Sequence, residues 1–177
     1  KELKGTQKEE YVRIALAELE HANKLLDEFL QMARPGFSNR QRCSIVGLIK
    51  EVYILAESEA LLRQVEIKHE SIGDIPHILG DAEQLKQVFL NLIRNAFEAL
   101  SPGGRILMQA SWYEKENHVR VTVSDTGAGM DDKIISSMFN PLFTTKDTGT
   151  GLGMFISKKI IDNHRGHIEV ESKPGKG

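Results

Sequence analysis

Between Val12 and Ala33, apolar residues recur in alternating steps of three and four, at Val12, Ala15, Leu19, Ala22, Leu26, Phe29 and Ala33. That spacing is the seam of a helix laid lengthwise against other helices. It constrains the chain more than any other stretch, because a single helix cannot bury its own stripe. Leu16, Leu25, Leu30 and Met32 widen the stripe beyond a two-stranded seam, which favours a helical bundle. Thr6-Gln7-Lys8-Glu9 is a capping box that predicts the start of this helix, and Arg34-Pro35-Gly36 predicts its end. No second long segment repeats the pattern. Partner helices must come from sequence outside the chain or from another subunit.

Past Pro35-Gly36-Phe37-Ser38-Asn39 the pattern changes to alternating helices and strands, as in an α/β or α+β domain. Ile45, Leu48, Ile49, Val52, Leu55 and Ala56 predict a helical face ending near Arg63. Val65 to His69 alternates as a strand, and Pro76 to Leu79 reads as a short second one. Asp81-Ala82-Glu83-Gln84 opens a strong helix with an inner face of Leu85, Val88, Phe89, Leu92, Ala96 and Ala99, which Ser101-Pro102-Gly103-Gly104 ends. Strands from Arg105 to Trp112 and from His118 to Ser124 are expected to form a hairpin. After a glycine-rich turn come a short helix from about Asp131, a helix from Leu152 to His164, and an alternating strand from His167 to Ser172.

Composition removes several function classes. The 23 Lys and Arg against 25 Asp and Glu leave a formal charge of -2, which gives no basic footprint for nucleic acid. The Lys158-Lys159 pair reads as a solvated helix face. A lone Cys43 makes neither an internal disulfide nor a zinc site, and it fits a reducing, cytoplasmic compartment. No apolar run approaches the roughly 18 residues of a membrane helix. The chain opens at Lys1 without an initiator Met, so it reads as a piece of a longer protein whose membrane anchoring stays open.

Four short segments carry chemistry. Asn91 and Asn95 lie four apart, on one side of their helix. They are either hydrogen-bonded core polarity or, since an amide oxygen is a hard neutral donor, ligands for Mg²⁺. Asp125-Thr126-Gly127-Ala128-Gly129-Met130 follows a strand. It is either ordinary turn chemistry or a place where Asp125 accepts from an exocyclic amine while the glycines admit a flat ring. Gly149-Thr150-Gly151-Leu152-Gly153 leads into a helix, as a flexible capped loop or as a phosphate cradle. No G-x-x-x-x-G-K-S/T motif exists, and Met154 stands where a Rossmann loop needs its third glycine. Phe139-Asn140-Pro141-Leu142-Phe143 is either a core plug or, with Thr144, Thr145 and Lys146, the hinge of a lid whose lysine reaches phosphate.

In chain order, the Asn91 to Ala96 stretch, Asp125 to Gly129, Phe139 to Phe143 and Gly149 to Gly153 resemble the N, G1, F and G2 boxes of sensor histidine kinases, and the resemblance runs from Thr6 onward. It implies an α+β fold, a two-layer α/β sandwich of the Bergerat (GHKL) type, preceded by one long helix of a dimerisation hairpin in a four-helix bundle. Residues 1–36 would be the second helix of the dimerisation and histidine-phosphotransfer hairpin, and residues 37–177 the catalytic ATP-binding domain. By position, Asn95 would hold Mg²⁺, Asn91 would line the phosphate site, and Lys146 would complete the catalytic set. Asp125 would read adenine. The ATP-binding set would also include Gly127, Gly129, Phe143, Thr144, Thr145, Gly149, Thr150, Gly151, Leu152 and Gly153. The order of linker helix, Val65 to His69 strand and Asp81-x-x-Gln84 is similar to sporulation kinases of bacilli.

The chain departs from that family's pattern in two places. Its phospho-acceptor motif, H-E-x-x-N/T-P, has no match, and His21 stands outside such a context. The chain also stops at Lys173-Pro174-Gly175-Lys176-Gly177, where the family continues with a final strand, so the sheet is expected to lack an edge. The implied activity is an ATP-dependent autokinase whose acceptor histidine lies outside the chain, with relay to an aspartate of a response regulator. Implied partners are a second copy through the stem, a receiver domain, and a small inhibitory protein on the stem. The same fold serves ATP-hydrolysing clamps, which place a Glu one turn before the Mg²⁺ asparagine. Asn91 holds that position and cannot act as a base, which favours transfer over hydrolysis. The alternatives are a serine/threonine protein kinase with the same boxes and a non-catalytic nucleotide-sensing dimerisation module.

Overall fold

The computed structural model describes residues 8–16, 18, 19, 22, 26, 30, 39–146 and 149–177. Residues 8–16, 18, 19, 22, 26 and 30 are helical and constitute α1. Its seam residues Val12, Leu19 and Leu26 are 56 to 61% exposed, so nothing described covers the stripe. The expected start at Thr6-Gln7 and stop at Arg34-Pro35-Gly36 lie outside the described residues, as do Leu25, Phe29, Met32 and Ala33. Among the described residues no helix is long and apolar enough to cross a membrane.

The remaining elements follow as β1 (Gln41–Cys43), α2 (Ile45–Leu62), β2 (Glu66–Ile72), β3 (Ile78–Gly80), α3 (Ala82–Ala99), β4 (Arg105–Tyr113), β5 (His118–Asp125), α4 (Asp132–Ser137) and α5 (Gly153–Asn163). A three-stranded mixed sheet runs β2-β4-β5, with β2 parallel to β4 and β4 antiparallel to β5. A separate ribbon pairs β1 with β3. β1 is not announced by the sequence, because three residues with one buried side chain are too few to show alternation.

Helices α2 and α3 cover one face of the sheet. Strands send Ile67, Ile106, Met108 and Ala110 inward to meet Ile49, Val52 and Ala56 of α2 and Val88, Phe89 and Ile93 of α3. Each large side chain so buried contributes roughly 1.5–3 kcal/mol. Across the helix layer, Lys86 of α3 pairs with Glu51 of α2 at 2.8 Å, and hydrogen bonds to Glu51 and Glu83 raise its pKa. α5 packs on the far side of α3 through Ile156 and Ile160.

Local signals explain the ends of these elements. Ser44 Oγ accepts the Gly47 N–H at 3.1 Å to start α2. α2 closes with Gln64 at a φ of 56°, Val65 N–H donating to Ala60 C=O and Gln64 N–H to Leu61 C=O. That is a Schellman ending built without glycine. Asp81 Oδ1 caps α3 by accepting from the amides of Glu83 and Gln84, each at 3.1 Å. Its other oxygen accepts Asn39 N–H at 2.9 Å, and its own N–H donates to His164 Nε2 at 2.9 Å. His164 Nδ1 in turn lies 2.8 Å from Ile160 C=O, so Nδ1 donates and Nε2 accepts. Arg40 reaches the Asn163 carbonyl nearby. Asp81 therefore ties the incoming chain, the start of α3 and the end of α5 to one point.

Three expectations need correction. Leu55 is 62% exposed, because it lies about a quarter turn off the stripe that Ala56 and Ala60 continue. On α3, Ala99 is exposed and Leu92 half-buried, whereas Ile93 and Phe97 are buried. α5 and α2 wrap opposite flanks of α3, which widens its buried arc beyond the single stripe. His167 to Ser172 keeps its alternation of exposed and half-buried side chains but forms no ladder with any described strand. Alternation sorts side chains between two faces; a strand also needs ladder hydrogen bonds to a neighbour. Here the tail is instead held by Ser172 Oγ, which accepts Met130 N–H at 2.8 Å, and by Gly175 N–H on Ala128 C=O at 2.7 Å.

Candidate functional site

The motif segments converge around the second half of α3. Asn91 is 8% exposed. Its Nδ2 donates to Ser157 Oγ of α5 at 3.0 Å and lies 3.7 Å from Met154 Sδ. A Cβ on Gly153 would collide with Asn91 Oδ1, so this asparagine is the strut that seats the start of α5 against α3. Its Oδ1 receives a long contact of 3.5 Å from Arg94.

Asn95, one turn later, is half-buried and faces outward. Its Oδ1 accepts from Lys146 Nζ at 3.2 Å, and the same ammonium pairs with Glu98. At the end of α3, Ala99 C=O accepts Ala128 N–H at 3.1 Å, which docks the first glycine turn one helical turn beyond Asn95. Asp125, the last residue of β5, is half-buried, and its Oδ1 accepts Gly127 N–H at 2.8 Å. Gly127 has no room for a side chain: a Cβ would stand 2.7 Å from both Ala99 C=O and Asp125 Oδ1. Gly129 takes a φ of 67° over the Lys173 carbonyl.

The segment from Phe139 to Lys146 runs between the two glycine turns. Lys158 Nζ sits 5.9 Å from the centre of the Phe139 ring, joining this segment to α5. Leu142, at a φ of 66° and 71% exposed, brings its carbonyl oxygen to 2.7 Å of where a Cβ on Gly151 would lie. Phe143 is half-buried and Thr145 exposed, while Thr144 Oγ1 accepts Lys146 N–H at 3.1 Å and packs on Gly149. Thr150 Oγ1 receives Leu152 N–H at 3.4 Å. Leu152 is 5% exposed and its side chain belongs to the core, which leaves only its backbone for a ligand. It precedes α5 without a side-chain cap, so the first-turn amides of that helix are not satisfied by a capping side chain.

The arrangement thus brings Asn95, Lys146 and Asp125 to the end of α3 and turns Asn91 inward. Ser157 escapes sequence reasoning; its only signal is a small polar residue one turn into α5, facing a buried amide. Among the described residues no group of three or more His, Cys, Asp or Glu could hold a metal. A divalent ion here would rest on amide and ligand oxygens. A groove of about 780 Å³ between α2, α3 and α5 touches Asn91, Gly153 and Ser157 but none of Asn95, Asp125 or Lys146, so it is a separate surface feature.

Known proteins resemble this chain in sequence and fold. Residues 80–177 match the family described as histidine kinase-, DNA gyrase B-, and HSP90-like ATPase. Sporulation kinase A of Bacillus subtilis (strain 168) is 39% identical over 170 residues, covering 96% of this chain and 28% of that protein. The chain therefore spans little more than a quarter of that relative's length. The catalytic domain of histidine kinase ThkA is 31% identical with a TM-score of 0.64, over 71% of this chain and 82% of that one. ThkA in complex with the response regulator TrrA superposes at a TM-score of 0.76 and 26% identity, over 93% and 47% of the two chains. Full-length ShkA in complex with AMPPNP reaches a TM-score of 0.85 at 27% identity, over 99% of this chain and 38% of that one. The chain belongs to the histidine kinase-, DNA gyrase B- and HSP90-like ATPase family, as an ATP-binding catalytic domain of the histidine kinase type.

Proposed function

We propose that this chain is the core of a sensor histidine kinase: it takes Mg²⁺-ATP and passes the γ-phosphoryl group to a histidine outside these 177 residues, for relay to a response regulator aspartate. The observation that carries the reading is the burial of Asn91. Hydrolysis needs a carboxylate that orients water, and the position one turn before Asn95 holds an amide bonded to Ser157. Glu98, one turn after Asn95, is paired with Lys146. Phosphoryl transfer to a protein side chain asks for less, mainly alignment and charge neutralisation.

The residues fit the cofactor on structural grounds. Asn95 Oδ1 already holds one cation, the Lys146 ammonium, and is the group for Mg²⁺. Asp125, beside a glycine too crowded for a side chain, is the acceptor for the adenine amine. The start of α5, with Gly149, Thr150, Gly151 and Gly153, supplies uncapped amides for phosphate oxygens. Thr144, Thr145 and Lys146 flank it, and Phe143 backs them. Bound Mg²⁺ would neutralise charge on the transferred phosphoryl group. Asn91 holds the start of α5 in register, where its amides would receive that group. The uncovered seam of α1 supports pairing with a second copy through the stem, with residues 1–36 as half of the hairpin and residues 37–177 as the ATP-binding unit. The TrrA complex of ThkA supports a receiver domain as partner. Dependence on ATP fits a cytoplasmic location.

The test combines binding and transfer. Asn95→Ala and Asp125→Ala should each weaken ATP binding by at least about tenfold in calorimetry, the scale of one lost charged-group contact. The wild-type chain, given γ-labelled ATP and a separate hairpin carrying the acceptor motif, should label the hairpin with acid-labile phosphate. Acid-stable label would point to a serine/threonine kinase. No label at all, with ATP still bound, would leave a nucleotide-sensing module.

A further inference from the structure

Asn95, Glu98 and Lys146 form one cluster that the binding scheme above uses only in part. Asn95 and Glu98 stand three residues apart on α3, which puts both side chains on one flank of the helix. Lys146 comes from the segment after the Phe139–Phe143 stretch and bridges the two, with Nζ 3.2 Å from Asn95 Oδ1 and paired to the Glu98 carboxylate. The pair is about two-fifths exposed on each side, so it is a contact at the mouth of the site, not a core ion pair. The amide oxygen assigned to the metal is therefore already the acceptor of a positive group carried by the chain itself.

We propose that Lys146 and the divalent cation compete for Asn95, and that Glu98 is the positioning residue that holds the lysine in the competing place. Two cations sharing one neutral oxygen approach within about 4 Å, where like charges repel strongly even with partial solvent screening. Metal binding then requires Lys146 to leave Asn95. The released ammonium sits on the segment that flanks the phosphate loop, so loading the metal and freeing the lysine are one event. The exchange involves no covalent step. It rests on the assignment of Asn95 to the metal, and the experiment separates the two ideas.

Mn²⁺ in place of Mg²⁺ is titrated into the 177-residue chain at ADP concentrations that saturate each variant, and free Mn²⁺ is read by electron paramagnetic resonance. Lys146→Met should bind Mn²⁺ about tenfold more tightly than wild type, the scale of one removed like-charge contact. Lys146→Arg, which keeps the charge, should stay near wild type. Raising KCl from about 0.05 to about 0.5 M should narrow the gap, since salt screens an exposed pair. Equal or weaker Mn²⁺ binding by Lys146→Met, or an arginine variant that behaves like methionine, overturns the competition. Asn95→Ala should lose Mn²⁺; if it binds Mn²⁺ as wild type does, the metal assignment itself fails. The part played by Glu98 is read without metal or nucleotide, from the ¹⁵Nζ resonance of Lys146. Glu98→Gln should move that resonance to the position of a free lysine, and an unmoved signal overturns the positioning role.

Discussion

Asn91 and Asn95 are the same residue one helical turn apart, yet the structure gives them opposite tasks. Asn91 is sealed between α3 and α5 with its amide spent on Ser157, whereas Asn95 looks out toward Lys146. Asn91→Ala strips Ser157 Oγ of its partner and opens a void against Gly153 and Met154, so it should cost about 1–3 kcal/mol in urea unfolding. Asn95→Ala should cost under about 0.5 kcal/mol while weakening nucleotide binding by at least about tenfold. Similar stability losses in the two variants would mean that Asn91 is no strut. The sequence placed both on one side of one helix and set the order of the four motifs, which the fold gathers around the second half of α3. It could not give their depth, because the partner that buries Asn91 lies 66 residues away. Leu152 is a second case: its place in a glycine loop suggested ligand contact, while its size sends the side chain to the core.

Elements were legible in proportion to their length and to the clarity of their caps. α2, α3 and the β4–β5 hairpin carry sustained periodicity and emerge where the pattern puts them. β1 is three residues long, and the segment from His167 to Ser172 alternates yet forms no ladder with a described strand, so pairing decided both. The end of α2 offers a test of local chemistry. Gln64 adopts a φ of 56° to close that helix, a conformation glycine takes at no steric cost. Gln64→Gly should raise stability by about 0.5–1 kcal/mol and the melting temperature by about 1–4 °C. A lower melting temperature would show that the Gln64 side chain contributes more than its backbone strain costs.

At the scale of the whole molecule, Asp81 joins parts that are distant in sequence: Asn39 before β1, the start of α3, and His164 after α5. An ordinary helix cap is worth about 1 kcal/mol. Asp81→Ala also removes the acceptor of Asn39 N–H but keeps the backbone bond to His164, so the loss should reach about 2 kcal/mol, while Asp81→Asn should recover much of it. Chemical denaturation of the three proteins compares them directly, and a loss no greater than that of a simple cap would refute the shared anchor. The uncapped start of α5 acts in the opposite direction. A fold that leaves anion-seeking amides at the head of a core-forming helix is stabilised by whatever binds there, through mass action. At a nucleotide concentration a hundred times its Kd, the folded state should gain about 2.7 kcal/mol. The melting temperature then behaves as a titration curve, reporting nucleotide supply even in a variant that transfers no phosphoryl group.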